Sequence, residues 1–480
     1  MNEGGILFPL IRQILAFPPD GRELKVRGWV RTKRELKNLV FIEVNDGSSM
    51  QGIQCTFDRA GGPEDGALGA VMDALGTGAS VEIGGKLVPS PASGQAVELA
   101  AASLRLIGEA PGDGRPGIPA YPLQKKRHSL EFLREIAHLR PRTNTFAAVA
   151  RVRSSLAFGV HRFFRQNGYQ YIHTPIITAN DAEGAGAMFQ VTTLDLEALG
   201  RGQNQALPVD YGRDFFGKKT GLTVSGQLEA ETYASALSRV YTFGPTFRAE
   251  NSNTARHLAE FWMVEPETAF AELEDNMILA EEFLKYLFTV VLEENREDLD
   301  FFETRYQKGL IENLESLSVS QFSHVSYTDA VRELEKQAGV FEFKPYWGCD
   351  LQSEHEKFLT EKVFSGPVIV TDYPKEIKAF YMKLNDDGRT VRAMDVLVPR
   401  LGEIIGGSQR EDHLGKLTRR MEELGMKLQD YQWYLDLRRY GTVPHAGFGL
   451  GFERLIQYVT GMANIRDVIP YPRAAGQAEF

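Results

Sequence analysis

The chain has little cysteine and no long apolar run. Its 480 residues include only Cys55 and Cys349, which lie far apart and form no CxxC pair or Cys/His cluster. This spacing argues against a disulfide framework and a structural zinc site. No stretch approaches the ~20 apolar residues that a membrane helix needs, and an early acid, a proline and an arginine interrupt the N-terminus where a signal peptide would be apolar. We therefore expect no membrane contact and a cytoplasmic location.

Acidic residues outnumber basic ones, and the net charge is −10. This charge argues against indiscriminate binding along nucleic acid but allows local basic faces. The 43% of apolar residues is enough for a large core and two or three domains. The Gly- and Pro-rich stretch Ala110 to Pro122 predicts an interdomain linker. We expect a β domain over residues 1–110, a linker or hinge over 111–140, and a larger domain over 141–480 with a helical elaboration near 300–365.

Short β-rich runs broken by polar turns follow one another from Glu23 to about residue 108, which predicts a small closed or sandwiched β domain. Phe41 and Trp29 supply rings among an unusual number of cations, which are Arg22, Lys25, Arg27, Arg31, Lys33, Arg34 and Lys37. Cations interleaved with aromatics are typical of oligonucleotide-binding barrels. An ordinary charged strand face explains the same pattern, and we expect Trp29 in the core.

A predicted hairpin lies near the middle of the chain. Two β-rich stretches, Tyr241 to Glu250 and Ala259 to Glu267, flank a polar loop. Arg248 and Glu250 are two apart, which on a strand directs both to one face. An arginine fork suits phosphate, and Phe261 can offer a flat apolar face. A surface ion pair on a hairpin is the ordinary alternative.

Carboxylates and glycines mark the later strands. Asp395 and Glu403 flank a predicted turn, so a hairpin would bring them together as Mg²⁺ ligands or as solvated acids. A glycine pair then precedes Arg410, which could clamp a carboxylate or amide oxygen. Near the C-terminus a glycine-rich strand leads into a helix with Glu453 and Arg454 in its first turn. Only 29 residues follow Gly451, too few for a dinucleotide-binding unit, so a second phosphate site is the better interpretation.

Two further stretches carry candidate polar contacts. A glycine-broken loop after Asp181 contains one acid, Glu183. A predicted helix beginning near Ser225 carries Gln227 and Glu229, although an acid at a helix start is also explained by the helix dipole. Thr143 to Asn167 has the apolar spacing of a long amphipathic helix, and the strand after it contains Pro175, which favours a sheet edge. The helix and strand around residues 143–178 are therefore a candidate dimer contact.

Taken together, these stretches resemble the class II aminoacyl-tRNA synthetases over nearly the whole chain. The helix and strand ending at Pro175 are similar to motif 1 of that class, FRAENSNTARHLAEF to motif 2, and GFGLGFER to motif 3. The barrel before the catalytic domain is the arrangement of the aspartate, asparagine and lysine subgroup. Within it, SGQLEAET and MDVLVPRLGEIIGGSQRED resemble the asparaginyl-tRNA synthetases most closely.

The resemblance implies an α+β fold, with a five-stranded OB-fold barrel followed by an antiparallel sheet flanked by helices, and a homodimer through motif 1. It implies ATP-dependent ligation of L-asparagine to tRNA(Asn) through an asparaginyl adenylate, with Mg²⁺ accompanying ATP. An aspartyl-tRNA synthetase that charges both tRNAs and a non-catalytic RNA-binding paralogue remain the alternatives.

The resemblance also implies roles for single residues. Arg248 and Arg454 are the expected catalytic residues, and Asp395 and Glu403 the expected Mg²⁺ ligands. The expected ATP contacts are Arg248, Glu250, Arg256, His257, Phe261, Glu403, Gly451, Glu453 and Arg454. The expected amino-acid contacts are Glu183, Gln227, Glu229 and Arg410, of which Glu229 and Arg410 together read the side-chain amide. The expected anticodon contacts are Phe41, Gln54 and Arg31.

Overall fold

The computed structural model describes residues 8–58, 71–72, 74–91, 94–114, 116–124, 126–182, 188–197, 209–252 and 254–480. The chain divides into two compact units, Met1–Arg151 and Val152–Phe480.

The first unit is built on a closed barrel with the strand order β1-β2-β3-β5-β4. Its strands are β1 (Glu23–Glu35), β2 (Leu39–Asn45), β3 (Ile53–Asp58), β4 (Ser80–Pro89) and β5 (Val97–Gly108). A short helix, α1 (Ile11–Leu15), adds its two buried isoleucines to the barrel core. The helices that follow the barrel are α2 (Leu130–Glu135) and α3 (Asn144–Gln166).

Trp29 does not lie in the core as expected, because its side chain is 43% exposed. Its neighbour Val30 is buried, and successive residues of a strand point to opposite faces. The apolar set that includes Val26 and Val30 therefore turns Trp29 outward.

An eight-stranded sheet forms the centre of the second unit, in the order β12-β13-β14-β15-β16-β11-β10-β6, and a smaller sheet has the order β7-β9-β8. The strands are β6 (Gln170–Tyr171), β7 (Ile177–Thr178), β8 (Gln190–Val191), β9 (Thr220–Leu222), β10 (Arg239–Phe247), β11 (Glu260–Ala269), β12 (Ser323–Ser326), β13 (Val368–Pro374), β14 (Thr390–Val398), β15 (Gly402–Gln409) and β16 (His445–Gly451). The inner pairs are antiparallel, whereas β6 and β12 pair in parallel at the two edges. The predicted fold class is confirmed, with parallel pairing at the edges of the main sheet. The predicted strand that contains Pro175 is instead two short strands, β6 and β7, in different sheets, and Pro175 lies between them; β6 is an edge strand, as expected.

Helices cover this sheet. They are α4 (Gln227–Leu237), α5 (Leu273–Glu294), α6 (Arg296–Arg305), α7 (Leu310–Val319), α8 (Tyr327–Glu335), α9 (Ser353–Phe358), α10 (Leu414–Glu423), α11 (Gln432–Arg439) and α12 (Phe452–Thr460). The stretch near 300–365 is not wholly helical, since it also contributes β12 to the main sheet. Within the described ranges, no helix combines the length and apolarity needed to cross a membrane.

Candidate active site

The hairpin β10–β11 places a cation beside an aromatic ring. Strand β10 ends at Phe247, so Arg248 and Glu250 lie just beyond the strand and not on it as predicted. The backbone N–H of Arg248 donates to the carbonyl of Ala259 at 3.0 Å and continues the pairing past the strand end. The Arg248 guanidinium carbon lies 5.6 Å from the centroid of the Phe261 ring.

The loop of this hairpin contacts the N-terminus of α9. Arg256 donates a hydrogen bond to the hydroxyl of Ser353, the first residue of that helix. His257 Nδ1 lies 3.0 Å from Ser252 Oγ. Burial, and after it the nearby guanidinium of Arg454, lower the pKa of His257. A segment expected to be a mere helical elaboration thus borders the loop that carries candidate phosphate contacts.

The glycine-rich strand β16 allows close packing against the hairpin. A Cβ on Gly447 would clash with the backbone carbonyl of Pro266 on β11, which cannot move aside as a flexible side chain can. The strand leads directly into α12, whose third residue, Arg454, donates from Nη1 to the Glu403 carboxylate at 3.2 Å. Burial raises the pKa of Glu403. The nearby cations Arg454 and Lys378 lower it by more than burial raises it, so the pKa lies below its ordinary value.

Glu453 is 1% exposed, and both of its carboxylate oxygens have partners within the protein. Oε1 accepts from Arg153 of α3 at 2.7 Å, and Oε2 accepts from the backbone N–H of Trp262 at 2.8 Å. Glu453 therefore joins α3, β11 and α12.

The structure brings all nine expected ATP contacts to the wall of one cavity, which we call the first cavity. The sequence-predicted residues in its lining are Arg248, Glu250, Arg256, His257, Phe261, Glu403, Gly451, Glu453 and Arg454. Three arginines and a histidine face the same space, so it favours a polyanionic ligand.

A second cavity lies beside the first and shares part of its wall. Its polar lining includes Ser225, Gln227, Glu265, Glu267, Lys378, Tyr381, Asp395 and Arg410. Arg248, Met263, Glu403 and Gly449 line both cavities. One arginine therefore lies where ligands of the two cavities would meet.

Buried ion pairs support the wall of the second cavity. Arg410 is 2% exposed, pairs with Glu267 of β11 and donates to Ser408 Oγ at 2.8 Å. Burial raises the pKa of Glu267 and Glu231 raises it further, whereas Arg410 favours its charged form. No local pattern points to Glu267 as a site residue, because it and Arg410 are 143 residues apart in the sequence.

Glu231 of α4 is also fully buried, and it was not among the expected site residues. Its carboxylate accepts from Arg438 at 2.8 Å and from the Tyr434 hydroxyl at 2.9 Å, and it contacts His445 Nε2 at 2.9 Å. Burial opposes ionisation, but Arg438 and His445 hold the pKa of Glu231 below its ordinary value. The only signal in the sequence was the acid-rich start of the helix.

The two expected metal ligands converge at Gly406. A Cβ placed there would lie 2.9 Å from Glu403 Oε1 and 3.5 Å from Asp395 Oδ1. The other Asp395 oxygen, Oδ2, accepts from Lys378 Nζ at 2.6 Å. The described part of the chain contains no group of three or more His, Cys, Asp or Glu residues placed to hold a metal. A cation here would need oxygens from a ligand or water in addition to these two.

The remaining expected amino-acid contacts have different placements. Glu183 lies outside the described residues. Gln227 lines the second cavity. Glu229 is not one of the described residues in the lining of that cavity. Glu229 is half-buried, and burial, together with the carboxylates of Glu265 and Glu231, raises its pKa.

In the first unit, a separate cavity lies on the barrel surface. Its lining is Thr32, Lys33, Arg34, Phe41, Glu43, Gln51, Gly52, Gln54, Gly94 and Gln95. The guanidinium carbon of Arg34 lies 4.8 Å from the Phe41 ring centroid, and Gln54 Nε2 donates to Glu98 Oε2 at 2.9 Å. Arg31 does not line this cavity, because its guanidinium donates to the carbonyl of Arg142.

A bulge explains the difference between Arg31 and Arg34. The register of β1 against β2 shifts between Val30 and Thr32. An extra residue in a strand re-aims the side chains around it. Arg34, which was predicted only as one of several basic residues, therefore lies beside Phe41.

Comparisons with known proteins agree with this geometry. Residues 129–475 match the model of the class II tRNA synthetases (D, K and N), and residues 24–107 match that of the OB-fold nucleic acid binding domain. A solved structure of asparaginyl-tRNA synthetase from Pyrococcus horikoshii, complexed with asparaginyl-adenylate, is similar with a TM-score of 0.84 and 31% identity. The match covers 99% of this chain and 100% of that one.

Curated relatives are similar over nearly their full length. The asparagine–tRNA ligase of Treponema denticola is 63% identical over 477 residues, covering 98% of this chain and 99% of the relative. That of a Nostoc species is 57% identical over 470 residues, with the same coverage. These likenesses give no support to the two alternatives left open by the sequence. The chain belongs to the class II tRNA synthetases of the aspartate, lysine and asparagine group, and within it to the asparagine–tRNA ligases.

Proposed function

We propose that this chain ligates L-asparagine to tRNA(Asn) in two steps. In the first, the asparagine carboxylate attacks the α-phosphate of ATP, pyrophosphate leaves and asparaginyl adenylate forms. In the second, a hydroxyl of the terminal tRNA ribose attacks the adenylate carbonyl, and AMP leaves. The observation that carries the proposal is the placement of Arg248 on the wall shared by the two cavities.

In this proposal ATP occupies the first cavity. The adenine ring stacks on Phe261 with Glu250 at its edge, and Arg256, His257 and Arg454 contact the β- and γ-phosphates. Arg248 contacts both the reacting carboxylate and the α-phosphate, so it stabilises the negative charge that develops between them. Charges held in place before the reaction are the main source of stabilisation in such a step. No side-chain nucleophile is required.

Asp395 and Glu403 fit a Mg²⁺ ion that accompanies ATP. Their facing oxygens converge at Gly406, and Mg²⁺ usually takes one or two carboxylates and completes its shell with phosphate and water. When bound, the ion would neutralise phosphate charge. Lys378, which is bonded to Asp395, limits the negative charge of this pair when no cation is present.

Asparagine occupies the second cavity in this proposal, with Gln227 and Glu183 at its ammonium group and Arg410 at its side-chain amide oxygen. Two carboxylates, Glu265 and Glu267, line the same cavity. They would repel the carboxylate of aspartate but tolerate an amide. Glu229 adds to this repulsion from a position that does not line the cavity.

The barrel binds the anticodon, with the central base stacked on Phe41 and Gln54 beside it. Arg34 lies over the Phe41 ring, where it can contact the same base or its phosphate. Arg31 contributes charge to the barrel surface, although its guanidinium is bonded to the Arg142 carbonyl.

A second copy of the chain is proposed to cover the edge near β6, where a homodimer would bury exposed apolar side chains. Tyr171, Ile176 and Ile177 are 52%, 37% and 41% exposed. All three belong to the segment around residues 143–178 that the sequence predicts as a dimer contact. We propose the cytoplasm as the location of this reaction, because ATP and tRNA are both available there.

ATP–pyrophosphate exchange with each amino acid in turn tests the proposal. We expect exchange with asparagine and little with aspartate. Exchange with aspartate and not with asparagine would favour the aspartyl alternative, and exchange with neither would favour the non-catalytic one.

A further inference from the structure

Two neighbouring phenylalanines of the second unit point into solvent. Phe215 is 75% exposed and Phe216 is 45% exposed, and their ring centroids are 4.8 Å apart at an interplanar angle of 77°. Phenylalanine is among the residues most often buried in folded proteins. A pair of adjacent exposed rings therefore indicates a contact surface.

The turn that presents these rings is held in place by a buried acid. Asp214 Oδ1 accepts from the backbone N–H and the hydroxyl of Thr193, both at 2.9 Å, and from the backbone N–H of Phe215 at 2.8 Å. The N–H of Gly217 closes the turn onto the Asp214 carbonyl at 2.9 Å, with a positive φ of 63° that favours glycine. Hydrogen bonds donated to this carboxylate lower the pKa of Asp214 to about 2. The rings are thus presented by an anchored segment.

The same turn is basic. Arg213, Lys218 and Lys219 are all exposed, and none of them forms an ion pair with another described residue. Asp214 is the one acid between residues 211 and 219, and it is buried and hydrogen-bonded. In a chain with a net charge of −10, residues 211–219 present three cations to solvent, and the exposed acid Asp210 just before them accepts a hydrogen bond from the backbone N–H of Gly212. Exposed rings flanked by cations are typical of surfaces that bind single-stranded nucleic acid, since bases stack on the rings and phosphates contact the cations.

The position of the turn connects it to the second cavity. Lys219 is followed directly by β9, and the chain then reaches Val224, Ser225 and Gln227, which line that cavity. Extended chain rises about 3.3 Å per residue, so Lys219 and Ser225 are at most roughly 20 Å apart.

We propose that Phe215, Phe216, Lys218 and Lys219 form a platform that binds the single-stranded 3′ end of the tRNA. The proposal rests on the proposed function, in which that end must reach an adenylate in the second cavity. The combination of exposed rings and cations favours RNA over a second copy of this chain, because RNA supplies both bases that stack on the rings and phosphates that contact the cations.

The test uses the full-length protein and two versions of tRNA(Asn), one complete and one lacking its single-stranded 3′ end. The variant Phe215→Ala/Phe216→Ala should keep pyrophosphate exchange with asparagine within twofold of wild type. Its Kd for complete tRNA should rise about 5- to 150-fold, the effect of losing one base stack. Its Kd for the shortened tRNA should not change.

Charge variants test the second half of the platform. Lys218→Ala/Lys219→Ala should weaken binding of complete tRNA and reduce the slope of log K against log salt by about 0.7 for each lost phosphate contact. Lys218→Arg/Lys219→Arg should keep most of the binding. Tyr440→Ala, which removes a ring that is 77% exposed elsewhere in the unit, is the matched control.

Several outcomes would overturn the platform. These are unchanged binding and charging in the double phenylalanine variant, equal loss of affinity for both tRNAs, and a parallel loss of exchange and charging. A change of oligomeric state would show that the rings contact a second copy instead. Absence of asparagine exchange in the wild-type protein would count against the proposed function, which separates the two failures.

Discussion

The half-buried Arg153 and the buried Glu453 form an ion pair across 300 residues of sequence, with 2.7 Å between Nη1 and Oε1. The pair joins α3 to the first turn of α12, next to Arg454 in the first cavity. Glu453 is 1% exposed, and burial raises its pKa while Arg153 lowers it, so loss of the arginine would leave an acid without its counter-charge.

Arg153→Gln should destabilise the fold by about 3 kcal/mol, because breaking one side of a buried pair leaves the other charge unpaired. Urea denaturation at pH 7 measures the change, and the double variant with Glu453→Gln should recover part of it. Arg162→Gln is the matched control on the same helix. Its pair with Glu294 is exposed and should contribute no more than about 1 kcal/mol. Equal losses of free energy of unfolding in Arg153→Gln and Arg162→Gln would contradict a larger stabilising contribution from the pair of Arg153 with Glu453.

Arg248→Ala and Arg454→Ala should each slow asparagine-dependent pyrophosphate exchange. The expected loss of transition-state stabilisation is at least ~2 kcal/mol for each variant. Both guanidinium groups line the first cavity, and the urea midpoint should change little. Arg305→Ala, an exposed arginine on α6, should leave exchange unchanged. Exchange near the wild-type rate in both variants would contradict the proposed phosphate contacts.

Phe41→Ala should leave pyrophosphate exchange intact and raise the KM for tRNA, since loss of one base stack weakens binding by about 1–3 kcal/mol. Aminoacylation kinetics with tRNA(Asn) measure the effect. Ile107→Ala removes another exposed apolar side chain of the barrel and serves as control. Parallel losses in exchange and in charging would indicate a folding defect and not an anticodon contact.

If Glu229 repels aspartate, Glu229→Gln should lower the ratio of the exchange rate with asparagine to the exchange rate with aspartate. Rejection through a like-charged group can reach about 10⁴-fold where a site is dry. Because Glu267 lines the second cavity and Glu229 does not, Glu267→Gln is the informative comparison. A ratio altered only by Glu267→Gln would give Glu229 the ordinary role of an acid at a helix start.

Glu356 should make the stability of the protein depend on pH. Burial, and then the nearby Glu403 carboxylate, raise its pKa from 4.5 to about 7, so the folded state favours the protonated acid. The contribution of Glu356 to the free energy of unfolding is fully present below pH 4.5 and is lost as the pH rises through about 7.

Glu356→Gln should therefore be more stable than wild type at pH 8, by up to about 3 kcal/mol, and equal to it near pH 4.5. Urea titrations at the two pH values check this, with Glu335→Gln on the exposed surface as control. A constant difference between variant and wild type across this range would exclude the titration of Glu356.

Much of the site could be predicted because its residues lie in short contiguous stretches. Arg248, Glu250 and Phe261 belong to one hairpin, and Gly451 to Arg454 to one strand–helix junction, so local spacing brings them together. The antiparallel turn likewise predicted that Asp395 and Glu403 converge. Short β-rich runs also indicated the barrel, apolar periodicity indicated the long helix α3, and Pro175 indicated a sheet edge.

The sequence by itself thus determined the fold class, the family and the lining of the first cavity. Only the tertiary structure decided which partners satisfy the buried charges: Glu267 for Arg410, Glu453 for Arg153 and Arg438 for Glu231. It also decided that Trp29 and Phe215 are exposed and that Arg34 replaces Arg31 beside Phe41. The physical reason is that pairing between distant segments and the position of a bulge depend on how whole elements pack, which no local pattern of residues records.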